Sequence, residues 1–395
     1  MNYILFDDHS WNNLLPLTFT RPTGEIRIGI LKISEKWEKL LDSKITFLTQ
    51  KHLTCKYTIH LTSDNVLING SILPTQLLIQ EINSLKIGEL LKKEDIVVAA
   101  RLNSDQVNDF KKSKTEALKV KPTDTPFNKI DYPWQIFAFN GTALAEDFKL
   151  ITKGRKSAPI SSTNKVIGAE HIFIEKGASV EFAILNASTG PIYVGKDAEI
   201  MEGSIVRGSL ALCEHAALKL GTKIYGPTTI GPHSKVGGEV NNSVIFGYSS
   251  KAHDGFLGNS VLGEWCNLGA DTNNSNLKNN YAEVRVWNYT EERFVSTGLQ
   301  FCGLIMGDHS KCGINTMFNT GTVVGVSANI FGSGFPRNFI PSFSWGGAQG
   351  FSVYALPKVY EVAELVMKRR DITLDECDKQ ILKSIFDMTE KYRKF

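Results

Sequence analysis

The chain has 395 residues, enough for two or three domains with buried cores. At 42% hydrophobic and 22% charged residues it has the make-up of a folded globular protein, which excludes a disordered, collagenous or disulfide-dense chain. Lys and Arg number 44 against 41 Asp and Glu, a net charge of +3 with no long block of one sign, so nothing signals a nucleic-acid or membrane-surface partner. The six cysteines form no CxxC pair, and the start MNYILFDDHSW lacks a charged region ahead of a long apolar run; both predict a reducing cytoplasm. No stretch approaches the ~18 apolar residues of a membrane span.

From the start, short β-rich runs alternate with helical ones. YILF at Tyr3, KITFL at Lys44, DNVLING at Asp64 and DIVVAARL at Asp95 predict strands, while EKWEKLLD and QLLIQEINSL predict helices. The alternation implies an α/β, Rossmann-like domain with a largely parallel sheet over residues 1–158. PWQIFAFNGTALAEDF at Pro133 adds one further strand and a helix, and TKGRKSAPISSTNK, rich in small and polar residues, marks the boundary.

A period of six follows. Val194, Ile200, Val206, Leu212, Leu218, Ile224, Ile230 and Val236 recur without a miss, mostly with a small residue two positions earlier, as at Ala198, Ser204, Ala216, Thr222, Thr228 and Ser234. Each hexapeptide predicts a short strand and a turn, three of which make a triangular coil with the aliphatic inward. The period slips at Asn242, returns at Leu262 and Leu268, and breaks from Asn273 to about Leu304. EVRVWNYTEERFVS, from Glu283, alternates as a two-stranded excursion would. Met306, Cys312, Phe318, Val324 and Ile330 restore the spacing, so the solenoid spans 165–345. A helical tail, 346–395, closes the chain. Val359, Val362, Leu365 and Val366 share one helical face, and Thr373 with Glu376 has capping-box spacing ahead of a second helix.

GPHSKVGGEVNNSVIFGYSSKAHDGFLGNSVLGEWCNLGADTNNSNLK, from Gly231, and TGLQFCGLIMGDHSKCGINTMFNTGTVVG, from Thr297, resemble the left-handed β-helix domain of bifunctional sugar-1-phosphate nucleotidyltransferase/acetyltransferases, which make UDP-N-acetylglucosamine. The layout is similar to a bacterial branch with a divergent uridylyltransferase half. The resemblance implies a left-handed parallel β-helix, a homotrimer with the acyl donor between neighbouring solenoids, acetyl-CoA as cosubstrate and Mg²⁺. It places His253 as the base that takes a proton from the amino sugar, a task suited to an imidazole with pKa near neutrality. Phe256 stands where the family has a tyrosine near the sugar, Asn267 matches an acceptor-binding asparagine, and Asn276 matches one beside the acyl donor. The family's basic pair for the sugar phosphate falls at Gly237 and Asn242, leaving Lys235, Lys251 and Arg285 as candidate substitutes.

In the first domain the family's glycine-rich nucleotide loop is absent. FDDHSWNNLLPLTFTRPTGEIRIGIL, from Phe6, stands instead, with Asp7 and Asp8 at the end of a predicted strand. Arg21, Glu25 and Arg27 follow in a loop whose two guanidiniums could clamp a triphosphate. Asn69, Gly70 and Ser71 occupy the usual Asn-Gly-Asp position, so Ser71 replaces a metal-binding carboxylate and Asp7 or Asp8 is expected to hold Mg²⁺. Three alternatives stay open: a nucleotidyltransferase with a purely assembling solenoid, an acyltransferase whose first domain only binds nucleotide, and a non-catalytic scaffold that senses sugar nucleotides.

Overall fold

A computed structural model describes residues 1–395, which pack as two compact units. The first comprises Met1–Leu14, Thr20–Ile26 and Leu31–Asp131; the second comprises Leu15–Phe19, Arg27–Ile30 and Tyr132–Phe395. No helix is long and apolar enough to cross a membrane.

In the first unit, strands β1 (Asn2–Phe6), β2 (Ile45–Leu48), β3 (Asn65–Asn69), β4 (Glu89–Lys93), β5 (Ile96–Leu102) and β6 (Lys119–Pro122) form one sheet in the order β2-β1-β3-β5-β4-β6. Helices α1 (Ser10–Asn13), α2 (Ile33–Leu41), α3 (Gln76–Asn83) and α4 (Ser104–Phe110) lie between them in sequence. Strand β1 runs parallel to β2 and β3, whereas β5 is antiparallel to β3 and β4. The sheet is therefore mixed rather than largely parallel. Only Glu94, at φ 51°, and Asp95 join β4 to β5, too few residues for a parallel crossover. From β1 the chain passes to β2 on one side and then to β3 on the other, which leaves a crevice beyond the carboxyl ends of these strands.

The second unit begins with α5 (Pro133–Thr152), one helix where a strand and a helix were expected. Pro133 is pre-set for a first helical position, and the Gln135 side chain accepts a hydrogen bond from the Tyr132 N–H at 3.0 Å, so the helix starts before the apolar run. Its buried Asn140 and Asp147 accept from the Gly29 and Ile30 N–H groups at 2.7 and 2.8 Å. In packing, the first compact unit ends at Asp131, and α5 packs with the solenoid and fastens residues 27–30 to it.

The repeats fold as expected. Their strands stack into three faces, which begin at Lys165–Ile167, Ile172–Ile174 and Ser179–Val180 and hold six, nine and ten strands. Successive coils pair parallel and in register, as in Val194 with Leu212 and Leu212 with Ile230. All eight hexapeptide aliphatics are 1% exposed or less, and Ser204, Thr222, Thr228 and Ser234 are buried at the corners. The architecture is an α/β domain, a three-faced parallel β-helix and a helical tail. The slip near Asn242 arises because the inward residues Val236, Val240 and Ile245 come four and five positions apart, so this coil has tighter corners. The excursion is an antiparallel hairpin, Arg285–Asn288 with Arg293–Ser296, and its Trp287 stacks on Phe339 at 4.3 Å. At one corner His215, His233, Tyr248, Trp265 and His309 all have φ between 54° and 62°, and their rings stack coil upon coil at centroid distances of 4.3 to 6.3 Å. Stacking offsets the roughly 1 kcal/mol or more that left-handed backbone costs each of these residues.

The tail forms α6 (Leu356–Lys368) and α7 (Glu376–Met388). The buried stripe of α6 is Val359, Ala363 and Met367, while Leu365 is 60% exposed. Asp375, not Thr373, caps α7, accepting from the Asp378 N–H at 2.8 Å. Beside Val359, Val362 and Ala363 lie Lys311, Ser327 and Ala328, so α6 braces the flank of the solenoid. The last coil is finished by Gly350–Val353, which turns back antiparallel on Ser344–Gly347.

Candidate active sites

The crevice in the first unit opens into a cavity of about 720 Å³, with Asp7, Asp8 and His9 after β1, Thr49, Gln50 and Lys51 after β2, and Asn69 at the end of β3. Phe6, Phe47, Ile59, Val97 and Phe110 give it an apolar wall, and Lys111 stands opposite. The sequence reading found Asp7, Asp8 and Asn69; it missed His9, Lys51 and Lys111. A lone lysine in a loop carries no signal except, for Lys51, its place just beyond a strand end.

Adjacent carboxylates here behave oppositely. Asp7 accepts from the Thr23 N–H at 2.8 Å and from the Thr49 hydroxyl at 2.5 Å, and burial pushes its carboxyl up to about 6. Burial also acts on Asp8, but the Lys129 ammonium, 3.1 Å from Oδ2, with hydrogen bonds from Ser10 and from Asn69 Nδ2 at 2.9 Å, holds it below the usual aspartate value. Lys129 is also paired with Asp131, and His9 lies 3.6 Å from Asp8 and 3.7 Å from Asp131. The Ser71 hydroxyl donates to Asn69 Oδ1 at 2.7 Å, and the Gly70 N–H donates to the Phe6 carbonyl at 2.9 Å. A Cβ at Gly70 would lie 3.2 Å from that carbonyl, so glycine lets β1 and β3 meet under the carboxylates.

Asp7 and Asp8 do not form the expected Mg²⁺ site. Their oxygens are engaged by Thr23, Thr49, Ser10 and Asn69, and an ammonium already faces Asp8, a donor set that does not suit the dication. The expected arginine clamp is not assembled either. Arg27 is 5% exposed and donates through Nε to the Phe246 carbonyl at 3.0 Å and through Nη1 to the Ile30 carbonyl, so it is a structural residue of the second unit. Arg21, 3% exposed, does not line the cavity, and its carbonyl accepts from the Trp11 indole at 3.3 Å. Glu25 pairs with Lys32 at 2.8 Å and accepts from Ser34 at 2.6 Å.

On the solenoid, His253 is exposed in the corner between the third and first faces. Phe256 opens the next strand of the first face, and its N–H donates to Asn273 Oδ1 at 2.8 Å. Asn276 donates to Asn259 Oδ1 at 2.8 Å. A Cβ on Gly258 would lie 2.5 Å from the Phe256 ring and 2.7 Å from Asn276 Nδ2, so these two side chains converge over a glycine that sequence reasoning passed over. Asn267 is exposed on the third face, in register with Ser250, which is itself in register with Lys235.

Of the cations offered for a sugar phosphate, Lys235 stays on the surface. Burial lowers the pKa of its ammonium, helped by Arg370, Lys219 and Arg369, a cluster of positive charge that distance in sequence had hidden. Lys251 is corrected: it is 2% exposed and points into the coil. Arg285 lies on the hairpin, where its guanidinium donates to the Phe294 carbonyl at 2.6 Å. Gly237 explains its own lack of a basic side chain, since a Cβ there would meet the Ala252 carbonyl at 2.4 Å. The solenoid thiols Cys266 and Cys302 are poor nucleophiles, since burial pushes both up to about 12.

Residues 3–156 match the sequence pattern of a sugar nucleotidyl transferase. The matched stretch carries its cavity where open α/β sheets place ligands. Among curated relatives, a bifunctional sugar-1-phosphate nucleotidylyltransferase/acetyltransferase of Sulfurisphaera tokodaii is 30% identical over 144 residues, 36% of this chain and 35% of its own. The bifunctional protein GlmU of Methanocaldococcus jannaschii is 37% identical over 87 residues, 22% of this chain and 21% of its own. The chain thus spans about a third or less of the length of these relatives. A solved UDP-N-acetylglucosamine acyltransferase from Francisella novicida aligns at 13% identity and a TM-score of 0.29, over 59% of this chain and 78% of that one.

Proposed function

We propose that the chain is a bifunctional transferase of UDP-N-acetylglucosamine synthesis. It acetylates the amino group of glucosamine-1-phosphate from acetyl-CoA at the His253 corner and transfers a uridylyl group from UTP in the cavity of the sugar nucleotidyl transferase domain. The observation that carries the reading is an open imidazole, His253, at a corner whose adjoining face presents Phe256 and Asn276 converging over Gly258. In acetyl transfer the sugar amine attacks the thioester carbonyl, the carbon–sulfur bond breaks, His253 takes the amine proton and coenzyme A leaves as thiolate. Asn267 and Lys235 offer a hydrogen-bonding and a cationic group to the sugar phosphate. In uridylyl transfer a phosphate oxygen of the acetylated sugar attacks the α-phosphorus of UTP and pyrophosphate leaves; Lys51 and Lys111 line the cavity and offset its charge. Acetyl-CoA and UTP as cosubstrates accord with a cytoplasmic setting.

The reading includes a homotrimer in which the acetyl site takes residues from two chains, and a stable, active monomer in sedimentation would contradict it. The deciding assay runs thiol release from acetyl-CoA with glucosamine-1-phosphate beside pyrophosphate release from UTP with N-acetylglucosamine-1-phosphate. His253→Ala is expected to abolish the first and spare the second; unchanged thiol release removes the assigned base. Acetyl transfer alone is a second reading, favoured by the Lys129 ammonium on Asp8, and wild-type protein with no pyrophosphate release would select it.

A further inference from the structure

The inward positions around the His253 coil are held by Val236, Val240, Ile245, Leu257, Leu262 and Leu268, all 3% exposed or less. Lys251 stands in the same series, in register with Val236, and is 2% exposed. Inside the coil its Nζ donates to the Gly237 carbonyl of the preceding coil and to the His253 carbonyl, both at 2.9 Å. Asn274, also inward and 4% exposed, donates to the Gly258 carbonyl at 3.1 Å and accepts from the Gly258 N–H at 2.9 Å. Polar side chains therefore grip the backbone from within at both ends of the segment His253–Gly258, the segment that carries the imidazole and Phe256.

An aliphatic side chain would fill the Lys251 position without desolvating a charge, as it does in the coils to either side. Burial of an ammonium is unfavourable unless its hydrogen bonds offset the lost hydration. The cost is visible in the Lys251 ammonium, which burial brings down to about 8 against the opposing pull of Asp254 and Asp271. What lysine adds over leucine is the double bond to Gly237 and His253, which ties one coil to the next at the turn.

We infer that Lys251 is a positioning residue for acetyl transfer: from inside the coil its ammonium fixes the turn that presents the His253 imidazole. The inference rests on the reading of His253 as the base. Lys251→Met, an apolar side chain of similar length, is the test, made on the full chain with three readouts: kcat and KM for acetyl-CoA, amide exchange at residues 252–255, and the ring nitrogen signals of ¹⁵N-labelled His253. Expected are a kcat lower by on the order of 10- to 100-fold with KM little changed, faster exchange confined to the turn, and shifted His253 signals. Unchanged kcat overturns the inference, with or without faster exchange. Should the methionine variant not fold, Lys251→Leu, which removes the donors and matches the inward Leu268 of the next coil, is read the same way: lower kcat with a looser turn supports the tether, and an unaltered kcat overturns it. Thiol release that survives His253→Ala removes the base itself, an outcome distinct from a loosened turn in the Lys251 variants, and the inference falls with it.

Discussion

Asp7 and Asp8 are neighbours in the chain, yet one is kept partly protonated near neutrality and the other is firmly ionised, because only Asp8 has an ammonium beside it. Since folding raises Asp7 from 3.8 to about 6, the stability it contributes is full below pH 3.8 and lost as pH rises through 6. Wild-type protein is therefore expected to lose on the order of 2 kcal/mol relative to Asp7→Asn between pH 4 and 6, read from urea unfolding at stepped pH. Lys251 has the opposite slope. Its folded value, about 8, lies below the ordinary 10.5, so between these pH values the unfolded chain binds the extra proton and stability rises with pH. The stability difference between wild type and Lys251→Met should move in favour of wild type by on the order of 3 kcal/mol over that range. At Lys129, substitution by Met leaves Asp8 and Asp131 without their shared cation and is expected to cost roughly 3 kcal/mol, measured by denaturant midpoint at pH 7.

Among the elements, the hexapeptide coils were legible because inward residues must repeat at the strand-and-turn period and nothing else in the environment changes from coil to coil. Ile224→Ala, at a position 1% exposed, is expected to cost roughly 3 kcal/mol in chemical denaturation, whereas Leu220→Ala, on a corner 68% exposed, should stay within about 0.5 kcal/mol. Gly258→Ala should displace Phe256 and Asn276, lowering thiol release while costing about 1 kcal/mol of stability. Helix α5 was hidden by its apolar start, which periodicity cannot distinguish from a buried strand; the signal was Pro133 with Gln135 two residues on. The antiparallel β5 could have been read from the two residues that separate it from β4. Lys251 was legible too, standing six positions after Ile245 and six before Leu257, but a charged residue is read as solvated by default. Arg21 and Arg27 misled for a related reason: a guanidinium can satisfy backbone carbonyls as well as phosphates, and sequence does not say which it meets.

At the scale of the whole molecule, each compact unit carries one of the two candidate sites, so their activities should separate under mutation. The tail is part of the second unit's packing: α6 buries Val359, Ala363 and Met367, and α7 buries Ile381, Leu382 and Ile385. A chain ending at Tyr354 is expected to expose the flank beneath α6 and to self-associate, detected as a rise in light scattering at equal concentration. The strand Gly350–Val353 has a separate effect. A stack of parallel coils invites another molecule to continue it, as a template invites a copy, and one such open rim at each pole is enough for a filament. By doubling back on Ser344–Gly347, the chain covers the rim of one of the three faces with its own strand, so on that face no second molecule can continue the parallel stack.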